Sequence, residues 1–400
     1  MTYRKYIQRL GQLPLLILLL ASCSGDAALD TVMRSTAPDG GYVNLHLVSS
    51  PSAVTRASEQ EERAVYDGVL AVFEGTSAVT ATLKSAVVID QLVNNPGTGY
   101  AVNVTQRLPV GTHPYSGAKR YALALLNIAG TGLAVDGTEL KYQGESLTGK
   151  DIAYFQSLVI NTVGSTDEHV GLMMANTIKD DGNILRNIET YHLYDTPDAA
   201  AAGSRLTIGV ERAAAKVRVS LASPSPVLNL YVNSAATPTA FSIHRLYWLP
   251  DRYKTAGYAV RNPSSTAAVS LTGYDADSFT LYPDHAYGDG DEVYVAENDE
   301  SAADSQTRVV VGLQLKDASS VLLSTFYIYN GDKTRIFSSP AHAEAYVGAG
   351  FDASRLACYA DGLVYYAYDI LHDGEKKLLR NHSYQLTIRT LAALGSDTAP

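Results

Sequence analysis

The sequence lacks the local motifs of the commonest catalytic and metal sites. Its 9 histidines are scattered, and none stands in HxH, HExxH or HxxxH spacing, so a catalytic zinc site has little support. There is no GxSxG elbow, and no glycine pair is followed by the further glycine or the Lys-Ser/Thr of a phosphate loop. These absences predict that the protein is not an enzyme and holds no cofactor or metal.

Positive charge is also in short supply. The chain has 31 Lys and Arg against 41 Asp and Glu, a formal net charge of −10. This balance argues against nucleic acid and anionic membrane surfaces as partners. Asp289, Asp291 and Glu292, with Asp284 nearby, form an acidic loop in which a calcium site is conceivable, although a solvated loop is the more ordinary interpretation.

Long apolar runs are missing except for a short one near the N-terminus. Residues 13–21 are apolar, follow a basic segment and are too few to span a bilayer, which is typical of a signal peptide over residues 1–22. The run continues into LASC at 20–23, which matches the bacterial lipobox and predicts acylation of Cys23. A chance cysteine after an ordinary signal peptide is the alternative. Two or more acyl chains would anchor the precursor stably in an envelope membrane.

Cysteine is scarce, with 2 residues in the chain. If Cys23 is lipidated, Cys358 has no intrachain disulfide partner, and an exported fold must depend on its hydrophobic cores. Cys358 lies in an apolar run, so we predict that it is a buried thiol.

The rest of the chain reads mainly as short strands between turn residues. Hydrophobic content is 46% and Tyr is frequent, with 27 residues, which favours strands with one wet face. Residues 148–160 have helical spacing, residues 338–347 hold a helical turn, and the Ala-rich stretch 198–203 is a plausible joint. Tyr365, Tyr366 and Tyr368 are read as strand packing, with a sugar-binding platform as the alternative. Predicted strands cover 65–74, 87–93, 100–108, 121–128, 170–175, 206–221 in two pieces, 240–248, 293–296, 309–315, 321–329, 363–370 and 383–391.

The stretch 41–63 organises these elements. Val43, Leu45 and Leu47 alternate with Tyr42, Asn44 and His46, as in a strand with one buried face. A polar, proline-containing break then leads to Arg56-Ala57, where a chain is usually open to proteolysis. We interpret the stretch as a removable strand with a cleavage point behind it. The alternative is a first strand followed by a linker that happens to contain arginine.

Motifs spread over nearly the whole length resemble those of the fimbrillins, the pilin subunits of Bacteroidales type V pili, and the minor-fimbria shaft type above all. The order of the motifs makes the resemblance specific. They are the lipobox at Cys23, VTRA at 54–57, the apolar run 70–73, LPVGTHPY at 108–115, YALALLN at 121–127, LMMAN at 172–176, VERAAAKV at 210–217, YVAEN at 294–298, FYIY at 326–329, VYYAYD at 364–369 and RNHSYQLTI at 380–388.

The resemblance implies a fold and a mechanism. The fold is mainly β, with two tandem, transthyretin-like β-sandwich domains over 57–205 and 206–400, a few short helices, and a propeptide over 23–56. The subunit is exported to the outer membrane as a lipoprotein. An arginine-specific protease cuts it, here after Arg56 and before Ala57, with Arg63 and Arg34 as second choices. The groove left by the first strand is filled by a C-terminal strand of another pilin subunit, and the surface fimbrium binds host or bacterial ligands.

One feature departs from the shaft pattern. Shaft fimbrillins continue past the RN-x-x-Y strand with a further donor segment, whereas this sequence stops soon after residue 395. An earlier C-terminal strand could be the donor, the subunit could accept a strand without donating one, as a tip pilin would, or the sequence could be shortened. The rival from another class is a monomeric surface lipoprotein that binds glycan or host protein and keeps its first strand.

Overall fold

Strands make up most of the fold. The structure, a computed structural model, describes residues 41–49, 65–89, 92, 101–109, 118–161, 171–179, 181–262, 271–273, 286–300, 302 and 305–400. The strands of the N-terminal region are β1 (Tyr42–Ser49), β2 (Gly68–Gly75), β3 (Thr82–Val88), β4 (Ala101–Arg107), β5 (Lys119–Leu126), β6 (Leu133–Asp136), β7 (Glu139–Tyr142), β8 (Glu145–Ser146), β9 (Val159–Asn161), β10 (Met174–Asn176), β11 (Arg186–Ile188) and β12 (Arg205–Arg212).

The C-terminal region continues in the same style. Its strands are β13 (Ala214–Leu221), β14 (Val227–Val232), β15 (Thr239–Asp251), β16 (Ala256–Tyr258), β17 (Glu292–Ala296), β18 (Arg308–Asp317), β19 (Phe326–Tyr329), β20 (Arg335–Ile336), β21 (Leu356–Tyr359), β22 (Leu363–Asp369) and β23 (Ser383–Ile388).

Helices are few and short. The α-helices of the described residues are α1 (Ile152–Ser157), α2 (Pro197–Ala202) and α3 (Pro340–Val347), and the 3-10 helices are Thr190–His192, Gly348–Gly350, Ala353–Arg355 and Ala360–Gly362. None of the described helices has the length and hydrophobicity needed to cross a membrane.

An eight-stranded sheet dominates the N-terminal region. Its order is β3, β2, β5, β10, β12, β1 and β4, with β11 also paired to β5. Leu70 in β2, Ala124 in β5, Ile208 in β12 and Leu45 in β1 belong to one buried cluster. Strands from both halves of the order therefore share one hydrophobic core.

The opposite face of β2 and β5 carries a second core. Phe73 of β2 meets Phe155 of α1 in a T-shaped contact with ring centroids 5.3 Å apart. Leu140 of β7 and Val260, from the loop after β16, are buried in the same cluster. This core therefore joins a segment of the C-terminal region to the N-terminal sheet.

The C-terminal region is a sandwich of two sheets. One has the order β17, β13, β23, and the other β20, β14, β15, β18, β22. Val217, Trp248, Val311 and Tyr384 lie in the single buried cluster that both sheets share. Buried and exposed residues alternate with period 2 in β14, whereas β18 and the second half of β15 are buried on both faces. The predicted mainly β, sandwich-type fold with few short helices is confirmed.

The two regions meet through strand pairing, and a buried ion pair fixes the pairing strand within the C-terminal region. The chain crosses from the first sheet to the second at Ala213, between β12 and β13. The domain joint predicted near residue 205 falls at the start of β12 and stays a prediction. Strand β16 pairs with β9. Arg380, 2% exposed, donates from Nε to Glu297 Oε2 at 3.0 Å and from Nη2 to the Tyr258 carbonyl at 2.9 Å.

Three local predictions were wrong. The strand predicted at 87–93 is β3, which runs from Thr82 to Val88. The helix predicted over 148–160 is only α1, because Asp151 caps it by accepting from the Tyr154 N–H at 3.0 Å and the chain turns extended at Leu158. Cys358 is exposed, since the β19–β21 pair directs Tyr359 into the core and the neighbouring residue outward.

Asn176 replaces missing ladder bonds in the N-terminal sheet, and its loss should destabilise the fold. Its Oδ1 accepts from the Ala124 N–H at 2.9 Å, and its Nδ2 donates to the carbonyls of Ala122 at 3.0 Å and Ile184 at 2.9 Å. We expect Asn176→Ala to lower the free energy of unfolding by about 2–4 kcal/mol, since three buried backbone groups lose their partner. Urea unfolding measures this, with the exposed Asn229→Ala as control, and equal effects of the two substitutions would contradict the assignment.

Candidate functional site

The strand β1 fills a position inside the large sheet rather than at its edge. It runs parallel to β12, from Asn44 opposite Arg205 to Ser49 opposite Val210. On its other side it runs antiparallel to β4, from Tyr42 opposite Arg107 to Val48 opposite Ala101. We call the space between β12 and β4 that β1 fills the β1 slot. A strand in the β1 slot pairs along both of its edges, and its removal would leave two unpaired edges.

One face of β1 is built into the hydrophobic core. Val43 and Leu45 are fully buried and Leu47 is 1% exposed, as the alternating pattern of the sequence predicts for one face. Leu45 lies opposite Leu206 of β12 and Val104 of β4, and both of these are buried too. The β1 slot is thus lined by apolar side chains from its two flanking strands.

The other face of β1 is partly covered, which the sequence did not predict. Helix α2 packs across β1 and β4. Under it, Asn44 is only 7% exposed, and its Nδ2 donates to the Ala201 carbonyl at 3.2 Å. Further along the strand, His46 contacts Asn103 of β4 through Nδ1 and Oδ1, in an exposed position. The β1 slot therefore has a polar contact on its outer side as well as an apolar floor.

The sequence around α2 explains why a helix forms there. Thr196 is the N-cap, and its Oγ1 accepts from the Ala199 N–H at 3.3 Å. Pro197 stands at the first helical position and a run of alanines follows. The carbonyls of the last turn have no partner within the helix. The Gly203 N–H satisfies the Ala200 carbonyl at 3.0 Å, and Asn44 satisfies the next one.

Gly203 and Tyr194 fix this helix beside the start of β1. Tyr194 exchanges two backbone hydrogen bonds with Tyr42, at 2.7 and 2.9 Å, and its hydroxyl accepts from the Ser204 N–H at 2.5 Å. A Cβ on Gly203 would lie 2.1 Å from Cζ of Tyr194. The close approach of the ring to the backbone requires a glycine at this position.

The segment 389–400 closes the open side of the C-terminal sandwich. Leu391 and Leu394 are 8% and 2% exposed and complete the core there. Ser396 exchanges two backbone hydrogen bonds with Tyr365 of β22, at 2.8 and 3.0 Å. The hydroxyls of Tyr366 and Tyr359 donate to the carbonyls of Ala393 and Gly395, both at 2.9 Å.

Burial raises the pKa values of Tyr359 and Tyr366. It raises the pKa of Tyr359 to about 12, with a smaller contribution from the charge of Asp397. Burial raises the pKa of Tyr366 further, and the neighbouring Tyr368 adds to the effect. Tyr366 and Tyr368 pack against the C-terminal core and Tyr365 against a smaller cluster on the outer side of the sheet. Beside them, a cavity of about 490 Å³ lies between β22 and the segment 389–400.

The acidic loop is held by its own protein contacts. Asp289 Oδ1 accepts from the Leu221 N–H at 2.9 Å, and Asp291 Oδ2 accepts from the Gly288 N–H at 2.6 Å. Glu292 forms ion pairs with Lys216 at 3.3 Å and Arg218 at 3.4 Å. Among the residues that the structure describes, no three His, Cys, Asp or Glu side chains are grouped to hold a metal ion.

The remaining residues predicted from sequence lie outside the described residues. These are Cys23, Arg56 and Ala57, together with Arg34, Arg63 and Asp284. The structure thus places the removable-strand residues Val43, Leu45 and Leu47, whereas the lipidation and cleavage residues stay predictions.

Sequence reasoning missed Asn44 and Ala201 as members of this site. A polar residue between apolar ones in a strand normally faces water, so Asn44 gave no sign of burial. The Thr-Pro start of the Ala-rich stretch was the available signal for α2, because this pair combines an N-cap with a proline at the first helical position.

Several solved structures are similar to this chain. A fimbrilin from Porphyromonas gingivalis matches with 16% identity over 89% of this chain and 92% of its own, at a TM-score of 0.47. The tip fimbrial protein Mfa3 from the same organism matches with 12% identity over 88% and 95%, at a TM-score of 0.39. A fimbrial assembly protein from Parabacteroides distasonis matches with 12% identity over 89% and 94%, at a TM-score of 0.42. Fimbrillins are also the family that the sequence motifs resemble.

No protein-family model matches the chain, and no curated protein sequence matches it either.

A methyl group at Gly203 should loosen the contact between α2 and the start of β1. We expect Gly203→Ala to lower the free energy of unfolding by about 1–3 kcal/mol, since the Tyr194 ring must move off its hydrogen bond to Ser204. Gly350→Ala is a suitable control, because nothing lies within 4 Å of its added Cβ. If thermal and urea unfolding give the two variants equal stability, the crowding argument is wrong.

The segment 389–400 should loosen at alkaline pH through Tyr359. The pKa of Tyr359 is about 12 in the folded protein and about 10 in an unfolded chain. The stabilisation that the protonated Tyr359 hydroxyl contributes is therefore complete below about pH 10 and is lost as the pH rises from about 10 towards about 12. We expect Tyr359→Phe to be less stable than the unmodified protein at about pH 8 and to lose less stability up to about pH 11. Urea unfolding at both pH values measures this difference. Parallel losses in the two proteins would contradict the role of Tyr359.

Proposed function

We propose that the protein is a structural pilus subunit that assembles by exchange of its first strand. In this proposal Cys23 of the exported precursor is acylated and anchors it in the outer membrane. An arginine-specific protease then cuts between Arg56 and Ala57, β1 leaves, and a strand from another pilin subunit enters the β1 slot. The observation that carries the proposal is the position of β1, a strand near the N-terminus that is paired on both sides and buried on one face.

The energetics of the β1 slot support strand replacement over simple strand loss. Removal of β1 would uncover the sites of Val43, Leu45 and Leu47, which at 1.5–3 kcal/mol per side chain is roughly 5–9 kcal/mol of lost burial. The backbone edges of β12 and β4 would lose their partners as well. A free groove of this kind favours the addition of any strand with a matching pattern, which is β-augmentation.

The chain contains a strand with the matching pattern. In β23, Tyr384, Leu386 and Ile388 alternate with polar residues, as Val43, Leu45 and Leu47 do in β1. Strand β23 stands at the end of its sheet and runs parallel to β13, as β1 runs parallel to β12. A strand at a sheet edge can leave without dividing the sheet. We therefore assign the donor role to the C-terminal part of the chain, with β23 as its pairing segment.

This role implies where the protein acts and what the assembled polymer does. The mature subunits form a polymer on the cell surface, and the fimbrium carries adhesion to host or bacterial ligands. The chain contributes structure rather than catalysis. The motifs at 54–57 and 380–388 support this proposal at the two ends where the exchange takes place.

Cleavage after Arg56 should release β1 and start polymerisation. We expect limited trypsin treatment of the exported protein to give a product that begins at Ala57, accompanied by a ladder of SDS-resistant oligomers, because the vacated β1 slot binds a strand of the next subunit. Intact mass and gel mobility before and after treatment measure both effects. Arg56→Ala is the matched control, and it should stay uncut at this position and monomeric. A product that has lost β1 yet remains monomeric would contradict polymerisation by strand exchange, and a chain that stays uncut would favour a monomeric surface lipoprotein.

A further inference from the structure

The outer side of the β1 slot carries a polar contact that a purely apolar strand cannot make. Asn44 points away from the core, towards the last turn of α2, and is 93% buried there (7% exposed). Its Nδ2 donates to the Ala201 carbonyl at 3.2 Å. Since this carbonyl belongs to the last helical turn, it lacks an intrahelical partner. A side-chain N–H from the strand in the β1 slot supplies the bond that the helix leaves open.

We infer that this contact is a specificity and register determinant of the β1 slot, which selects strands with a side-chain amide between two inward-facing apolar residues. The inference rests on the proposed strand exchange and adds a rule for which strands are accepted. A shift by one residue would turn the amide to the core and an apolar side chain to the Ala201 carbonyl. A shift by two would place the position of His46 or Tyr42 under α2.

The occupant that this rule selects is β23 of a second copy of the chain. When Leu386 and Ile388 take the positions of Leu45 and Leu47, Gln385 takes the position of Asn44. The segments Val-Asn-Leu-His-Leu at 43–47 and Tyr-Gln-Leu-Thr-Ile at 384–388 then match as apolar, amide, Leu, polar and apolar residues. In its own sandwich Gln385 is exposed. Its amide is therefore available, and its longer side chain provides the same donor group.

The contact between His46 and Asn103 is weaker than that between Asn44 and Ala201 and serves as an internal control. His46 meets Asn103 in an exposed position, so water can replace the contact when the side chain is changed. The position of Thr387 in an incoming β23 corresponds to His46. Loss of the polar group at 387 should therefore matter much less than loss of the amide at 385.

Labelled peptides of residues 383–389 test the rule on the protein cut after Arg56. Fluorescence anisotropy would compare the natural peptide with the nearly isosteric Gln385→Met and Thr387→Val peptides. We expect Gln385→Met to bind about 3- to 10-fold more weakly, and Thr387→Val to change affinity by less than about 2-fold. In the protein variant Thr196→Val, which removes the N-cap of α2, the Gln385→Met penalty should shrink because the Ala201 carbonyl is held less firmly.

The outcomes separate this inference from the proposed function. Equal binding of the natural and Gln385→Met peptides would overturn the role of the amide and leave strand exchange standing. If none of these peptides enters the β1 slot, β23 is not the strand that the slot accepts, whereas strand exchange itself is decided by the cleavage experiment above. The role of the amide is then decided on the uncut chain, by hydrogen exchange of the β1 backbone amides. Faster exchange of these amides in Asn44→Leu than in His46→Leu would support the Asn44–Ala201 contact as the determinant of register. Asn44→Gln should then restore slow exchange. Equal exchange in the two variants overturns it.

Discussion

The large sheet depends on one strand, β1, which joins the edge strand β4 to all the other strands of the sheet. It pairs along its whole length with β12 on one side and β4 on the other. Its inward side chains are buried in the core that β2 and β5 also line. A strand that pairs along both edges and lies near the N-terminus is suited to exchange as a unit, because its two neighbours would each keep an edge for a replacement strand.

The strand beside β1, β12, connects the β1 slot to the C-terminal region. Strand β12 continues through Ala213 into β13, and β13 pairs in parallel with β23. The strand proposed to be lost and the strand proposed to be donated therefore stand in equivalent relations to two consecutive strands of the chain. The β9–β16 pairing holds the two regions together beside this connection, and Arg380 ties β16 to the C-terminal region through its bonds to Tyr258 and Glu297. In a polymer, such a connection would carry load from one strand-exchange contact to the next.

Much of this arrangement follows from local sequence pattern, and the rest depends on contacts between distant segments. The alternation at Val43, Leu45 and Leu47 identifies both a strand and its buried face, because the side-chain period of a strand is 2. The neighbours of β1 do not follow from its sequence, since β12 lies far along the chain and strand order is a tertiary property. Helix α2 is too short for a periodic signal, so the burial of Asn44 beneath it had no local sign. Cys358 illustrates the same limit, since an apolar run alone does not tell which residues of a two-stranded pair face outward.

The most direct test of the account is to identify the chain segment that occupies the β1 slot after assembly. Electron cryo-microscopy of filaments grown from the cleaved protein would resolve the strand between β12 and β4. The account predicts a strand from a neighbouring subunit, parallel to β12, with the side chains of Leu386 and Ile388 at the sites of Leu45 and Leu47. Density for the subunit's own residues 42–49 in that position would contradict it.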